Sequence, residues 1–281
     1  METTVVIEPA RLTQTQTFAG LAGDDEGSSD HRPPLLLLHG LTFDRSMWQP
    51  MLAHLRQTDP GRRVLSLDLP GHGESTGNWC YDGEEVGVAV HQAVLAAGLH
   101  SPVVVGHSYS GILATFYAAR YPTRGVVNVD QALQIAPFAT MLSSMAAELR
   151  GTGFPGIWLM MVASMHWELL PAQAQDLLRA TCRPTQELVL DYWREILDGP
   201  AGELTGLLDA ELSALRSASV PYHVFSGHEP EATYRKWLAD SLPQATMSAW
   251  PDSGHFPHLA HPDRFADCLK ATTDWTGSLD G

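Results

Sequence analysis

The sequence predicts an α/β domain: a mostly parallel sheet with helices on both faces, interrupted late by a helical insertion. Three observations predict it. Short all-apolar runs recur through the first half, separated by stretches of helical period. Each run stops at a glycine, an aspartate or a His-Gly pair, so polar groups gather where strands would end. Residues 131–218 then read as helical with no convincing strand, after which the strand signal returns.

The runs are mostly apolar and not alternating, because a parallel sheet covered on both sides offers no wet face. Residues 3–18 read as one or two edge strands. The acidic, turn-rich stretch 23–34 reads as a solvated loop or hairpin. Leu35 to Leu38 is the first buried strand and ends at His39-Gly40. Arg63 to Leu67 is the next, closed by Asp68-Leu69-Pro70-Gly71. Glu84 to Gly98 is a helix, with Val86, Val90, Val94 and Leu95 on its period. Pro102 to Val105 is a strand ending at Gly106. Ile112 to Ala119 is a helix stopped near Pro122, and Gly125 to Val129 is a strand ending at Asp130.

The insertion carries Met141, Met145, Met160, Met161 and Met165 with Trp158, Trp167, Tyr192 and Trp193. Such residues are usually plain core, yet a cap over an apolar pocket would use the same soft, adaptable side chains. Tyr222 to Ser226 and Thr246 to Trp250 restore the strands, residues 231–240 form a helix, and Pro262 to Ala271 closes the chain. The expected division is therefore residues 1–130 and 219–281 as core and 131–218 as cap.

The bulk numbers agree with such a domain. A chain of 281 residues, 44% hydrophobic and 17% charged, can bury one large core with an inserted subdomain. Asp and Glu number 32 against 17 Lys and Arg, a net charge of -15. That field repels nucleic acid and anionic membrane, so neither is an expected partner. The expected partner is a small hydrophobic substrate, and a homodimer is left open. No apolar run approaches the ~18 residues of a membrane span. No basic segment precedes an apolar one at the N-terminus, so no secretion signal is expected. Cys80, Cys182 and Cys268 are far apart, which fits a reducing, cytoplasmic compartment better than a disulfide framework. No P-loop, dinucleotide fingerprint or metal-ligand spacing is visible, so no cofactor and no metal are expected.

The chemistry centres on Val103-Val104-Val105-Gly106-His107-Ser108-Tyr109-Ser110-Gly111: an apolar strand, a tight turn of small residues, then a helix start. This turn would lift Ser108 clear of the sheet beside the free N–H groups of a helix terminus. The bland alternative is a helix-capping serine. With His39-Gly40, with Asp68-Leu69-Pro70-Gly71-His72-Gly73-Glu74-Ser75 and with Asp252-Ser253-Gly254-His255, the chain resembles the α/β-hydrolase fold superfamily over nearly its whole length. The likeness is greatest to cofactor-free esterase, lactonase and dehalogenase-like members with a helical cap. Ser110 stands where the family usually has a second glycine, and the turn is expected to survive with some crowding. A dehalogenase or epoxide hydrolase would need a carboxylate at position 108, whereas a hydroxyl suits acyl transfer.

A serine hydroxyl needs a neutral imidazole to take its proton. His255 is the candidate, in a turn-forming context where the resemblance places the catalytic histidine. His258 and His261 lie beyond it, and the resemblance gives His39, His107 and His72 supporting roles. The base needs a carboxylate behind it. Most relatives carry one after the strand matching Tyr222 to Ser226, but this chain reads Gly227-His228-Glu229-Pro230-Glu231 there. Some relatives carry it at the end of the preceding strand, which is Asp130. A carboxylate at a buried strand end is costly unless something pairs with it, and a catalytic histidine would. Asp130 is the candidate acid, with Glu229 or Glu231 as substitutes if the loop shifted.

Two backbone N–H groups should receive the charge of a tetrahedral intermediate, those of Tyr109 and Leu41. Gly40, Phe43, Met47 and Trp48 are expected on one wall of the pocket, although Trp48 could equally pack the loop against the core. Ile135, Phe138, Trp158, Met161, Met165 and Trp167 are expected on the other wall. The expected function is hydrolysis of a carboxylic ester or lactone of a small to medium hydrophobic molecule through an acyl-enzyme. Alternatives on the same fold are C–C bond hydrolysis, a hydroxynitrile-lyase or cofactor-free oxygenase chemistry, and a non-catalytic small-ligand binding protein.

Overall fold

A computed structural model describes residues 15–200 and 202–272. Of the one or two edge strands expected over residues 3–18, the part at 3–14 lies outside the described residues. Eight strands form one sheet in the order β1-β2-β4-β3-β5-β6-β7-β8. They are β1 (Gln16–Phe18), β2 (Leu21–Glu26), β3 (Leu35–Leu38), β4 (Val64–Leu67), β5 (Val103–His107), β6 (Gly125–Val129), β7 (Tyr222–Ser226) and β8 (Ala245–Ala249). The β1–β2 and β2–β4 pairs are antiparallel, and every later pair is parallel.

The apolar runs divide their side chains between two cores. Leu36, Leu38 and Val104 point to one face of the sheet, and Leu35, Leu37, Val103 and Val105 to the other. Full burial of one such side chain contributes about 1.5–3 kcal/mol, so these central strands anchor the domain. Helices α1 (Gln49–Thr58) and α13 (Pro262–Ala271) cover the second face; α2 (Gly83–Ala96) and α3 (Tyr109–Arg120) cover the first. Asp82 caps α2 by accepting from the N–H of Glu85 at 2.8 Å. Val86, Val90 and Val94 face inward as expected, but Leu95 is half exposed: one residue past Val94, it has rotated off the buried stripe.

The stretch 23–34, read as a solvated loop or hairpin, is a strand in part: residues 21–26 form β2, which makes a hairpin with β1. Their acids are matched to arginines: Asp24 to Arg45 at 3.1 Å, Asp25 to Arg63 at 2.9 Å and Glu26 to Arg56 at 2.6 Å. Pairing along β4 supplies the ladder that composition alone did not announce.

Between β6 and β7 the chain forms the expected helical insertion: α4 (Ala136–Ser144), α5 (Ala146–Arg150), α6 (Phe154–Ser164), α7 (Ala172–Thr181), α8 (Gln186–Tyr192), α9 (Arg194–Leu197) and α10 (Glu203–Ser217). The remaining helices, α11 (Ala232–Ser241) and α12 (Pro257–Ala260), flank β8. No helix among the described residues is long and apolar enough to cross a membrane.

Candidate active site

Ser108 sits between β5 and α3 with φ 54° and ψ -132°, a backbone region that a residue with a side chain occupies only under constraint. Its neighbours supply that constraint. The Ser108 N–H donates to the Val129 carbonyl at 2.9 Å, tying the turn to β6. A Cβ on Gly106 would lie 1.9 Å from the Ser110 carbonyl oxygen, so no other residue fits there. Ser110 does more than survive in the place of a glycine: its buried hydroxyl donates to the His39 carbonyl and joins α3 to the end of β3.

Asp130 ends β6 with φ 56°, its N–H donating to the Phe225 carbonyl at 2.8 Å. One carboxylate oxygen accepts from the Gly227 N–H at 2.7 Å and the other from His255 Nδ1 at 2.7 Å. Burial pushes this carboxyl up, but the bond to His255, that ring's charge and the Gly227 N–H outweigh it, and the net shift is downward. Glu229 is instead paired with Arg235, and Glu231 begins α11 on the exposed side. Among the described residues neither bonds to His255, whose Nδ1–H is already donated to Asp130.

The His255 backbone is fixed from two directions: its N–H donates to the Met165 carbonyl at 3.0 Å, and its carbonyl accepts from His107 Nε2 at 2.8 Å. Ser108, Asp130 and His255 face one cavity of about 270 Å³. Ser108 Oγ makes no hydrogen bond to the described residues, so the bonded chain runs from Gly227 through Asp130 to the ring. Catalytic bonds are often loose without substrate and tighten when it binds.

Among the described residues, no hydrogen bond takes the N–H of Leu41 or of Tyr109. Their neighbour Thr42 is committed: its N–H donates to His72 Nε2 at 3.0 Å and its carbonyl accepts from Arg183 at 2.8 Å. His39 works similarly, donating from Nδ1 to the Gly40 carbonyl at 2.8 Å and accepting from the Leu69 N–H at 3.0 Å. These two buried rings brace the loop after β3. Burial lowers the pKa of both, to about 3 for His72.

Phe43, Ile135, Phe138, Trp158, Met161 and Met165 line the cavity, together with Leu41, Tyr109, Ile112, Gln131, Gln134, Trp193 and Ile196. Four expected wall residues do not line it. Met47 and Trp48 are fully buried, and the Trp48 ring stacks 6.4 Å from Phe265 and 4.6 Å from His258. Trp167 packs against Phe43 and Phe256, and Gly40 lies behind Ser108 against His107. The short helix Arg45–Trp48 explains the first two: it turns that face of the loop into the core beneath α1. Trp193 and Ile196 were missed because the sequence does not reveal which way short cap helices face. Gln131 was missed as well, although a chain leaving Asp130 must cross the site.

A family model described as the alpha/beta hydrolase family matches residues 35–268. The chain belongs to that family. Among curated relatives, the pimeloyl-[acyl-carrier protein] methyl ester esterase of Chromobacterium violaceum is 28% identical over 252 residues, covering 84% of this chain and 92% of the relative. Among solved structures, a thermophilic esterase from Thermogutta terrifontis superposes with a TM-score of 0.70 at 23% identity, covering 92% of this chain and 94% of that one. An AqdC variant, which recognises and cleaves the ring of the Pseudomonas quinolone signal, superposes with a TM-score of 0.74 at 18% identity, covering 92% and 98%. The family match thus runs from β3 into α13 and includes every candidate residue named above.

Proposed function

We propose that this hydrolase cleaves carboxylic esters and lactones of small to medium apolar molecules through an acyl-enzyme on Ser108. The observation that carries the reading is the convergence of a constrained serine, a carboxylate-bound imidazole and two uncommitted N–H groups on one apolar cavity. Relatives that act on esters support it.

Ser108 Oγ attacks the carbonyl carbon while His255 Nε2 takes the hydroxyl proton, and the carbonyl π pair moves onto oxygen. The Leu41 and Tyr109 N–H groups receive that charge. Collapse expels the alcohol oxygen, which takes the proton from His255; from a lactone, the same oxygen stays tethered to the acyl group. Water, deprotonated by His255, then attacks the acyl carbon and releases the acid and Ser108. Asp130 holds His255 in the tautomer with Nδ1–H and stabilises the imidazolium. Among the described residues no Lys or Arg lines the cavity, and Phe43, Ile135, Phe138, Trp158 and Trp193 do, so an uncharged apolar acyl or alcohol group fits best.

The test is a fluorophosphonate probe followed by short and medium acyl esters and macrolactones. The expected outcome is labelling at Ser108, turnover, and loss of both in Ser108→Ala. A folded protein that neither labels nor turns over any ester or lactone overturns the reading. The unbonded Ser108 Oγ beside a complete Asp130–His255 pair favours a second reading, proton abstraction by His255 from an acidic ring substrate. Under it, Ser108→Ala keeps turnover of such a ring; under the ester reading it loses all turnover.

A further inference from the structure

We infer that His107 is a positioning residue for the base, holding the His255 main chain where its ring can serve both Asp130 and Ser108. This rests on the ester-hydrolase reading for the role of His255. His107 is the last residue of β5, immediately before Ser108, and is fully buried. Its Nε2 donates to the His255 carbonyl at 2.8 Å, a contact between residues 148 apart in sequence. Its ring lies 4.8 Å from the His255 ring, 5.0 Å from Phe256 and 4.7 Å from His258.

The other edge of the ring meets the loop after β3. A Cβ on Gly40 would fall 2.7 Å from His107 Nδ1 and 3.2 Å from Ser108 Cβ. Nδ1 has no hydrogen-bond partner among the described residues. A single side chain therefore touches the three segments that must keep register: the oxyanion loop at Gly40, the nucleophile turn, and the base loop at His255. A carbonyl can only accept, so Nε2 must carry the proton. Burial, with the neighbouring His258 and His255 rings, holds the imidazole neutral, and the proton has one place to be.

Two main-chain bonds and one side-chain bond thus locate His255: Met165 at its N–H, His107 at its carbonyl and Asp130 at its ring. Removing the middle support leaves the ring on its carboxylate but frees the loop to drift. Displacements near 1 Å cost about 100-fold in a positioned reaction.

The experiment compares His107→Leu and His107→Gln on an ester that the parent turns over. Leu fills the space without a donor; a Gln amide can return an N–H near the place of Nε2. His107→Leu is expected to lower kcat about 10–100-fold with KM within about threefold, and to displace the acidic limb of the kcat/KM profile. His107→Gln is expected to recover most of the loss. Full kcat in a folded His107→Leu overturns the inference, as does a His107→Gln no better than His107→Leu at equal Tm. Nitrogen-15 NMR of the parent protein gives a readout independent of folding variants and of activity. His107 must be protonated at Nε2, and a ring protonated at Nδ1 sinks the inference while leaving the ester reading intact. Absence of ester turnover in the parent sinks the ester reading instead.

Discussion

Asp130 carries the sharpest residue-scale prediction. Its two oxygens divide their work, one bound to the Gly227 N–H and one to the ring of His255. Asp130→Asn preserves size but offers His255 Nδ1 an amide that can present N–H, favouring the wrong tautomer, and it cannot stabilise the imidazolium. Ester turnover should fall by about 10³–10⁴-fold, with Tm within a few degrees and a matching fall in the rate of Ser108 labelling. Near-parental turnover would transfer the role to another group. The turns that present Ser108 and His255 were legible in sequence because each is a short motif whose backbone geometry is local. Asp130 was less so: it was chosen over Glu229 and Glu231 through the family resemblance, because the convergence of Gly227 and His255 on the end of β6 spans 97 and 125 residues and leaves no local pattern. Trp48 was not legible, since the sequence cannot say whether an indole after a loop turns outward or under α1.

At the scale of elements, the cap meets the loop that carries His255 at the end of α6. Helix α6 ends at Ser164, and the Met165 carbonyl just beyond it accepts the His255 N–H. Gly254 makes that approach feasible. It adopts φ +53°, and a Cβ there would lie 2.8 Å from the Met165 oxygen and 3.0 Å from His166 Cβ. Gly254→Ala should strain the turn by about 1–3 kcal/mol and push the end of α6 off the base loop. Its expected signature is a loss of kcat of about tenfold or more beside a modest fall in Tm, measured on the same ester by steady-state kinetics and thermal melting. An unchanged kcat would mean that the cap and the base are mechanically independent. This contact also marks the limit of pattern reading. Buried strands announced themselves as short runs dominated by apolar residues, and the insertion announced itself by its helical period. The direction each short cap helix faces depends on packing against distant chain, so Trp193 and Ile196 entered the cavity unforeseen.

For the whole molecule, the prediction concerns acid. The fold shuts several imidazoles inside: His72 and His258 have their pKa pushed down to about 3 by burial first and neighbouring histidines second, and burial likewise lowers those of His39 and His107. In the unfolded chain each ring takes a proton near 6.5. Between pH 6.5 and about 3, therefore, unfolding binds protons, and acid favours the unfolded state. The stability these rings permit is intact above pH 6.5 and erodes as pH falls through that value, at about 1.4 kcal/mol per pH unit for each ring held neutral. At pH 5 one such ring costs about 2 kcal/mol. Paired carboxylates such as Asp130 push in the same direction only at lower pH, because their own pKa values are depressed. His258→Phe isolates the effect. Its ring nitrogens have no hydrogen-bond partner among the described residues, and it sits against Trp48, Phe256 and Phe265, so a phenyl ring suits the space. Denaturant unfolding from pH 7.5 to 4.5 should give the variant a slope shallower by about 1.4 kcal/mol per pH unit below pH 6, with little change at pH 7.5. Parallel curves for parent and variant would show that His258 titrates alike in both states, and that its burial does not set the acid limit of the fold.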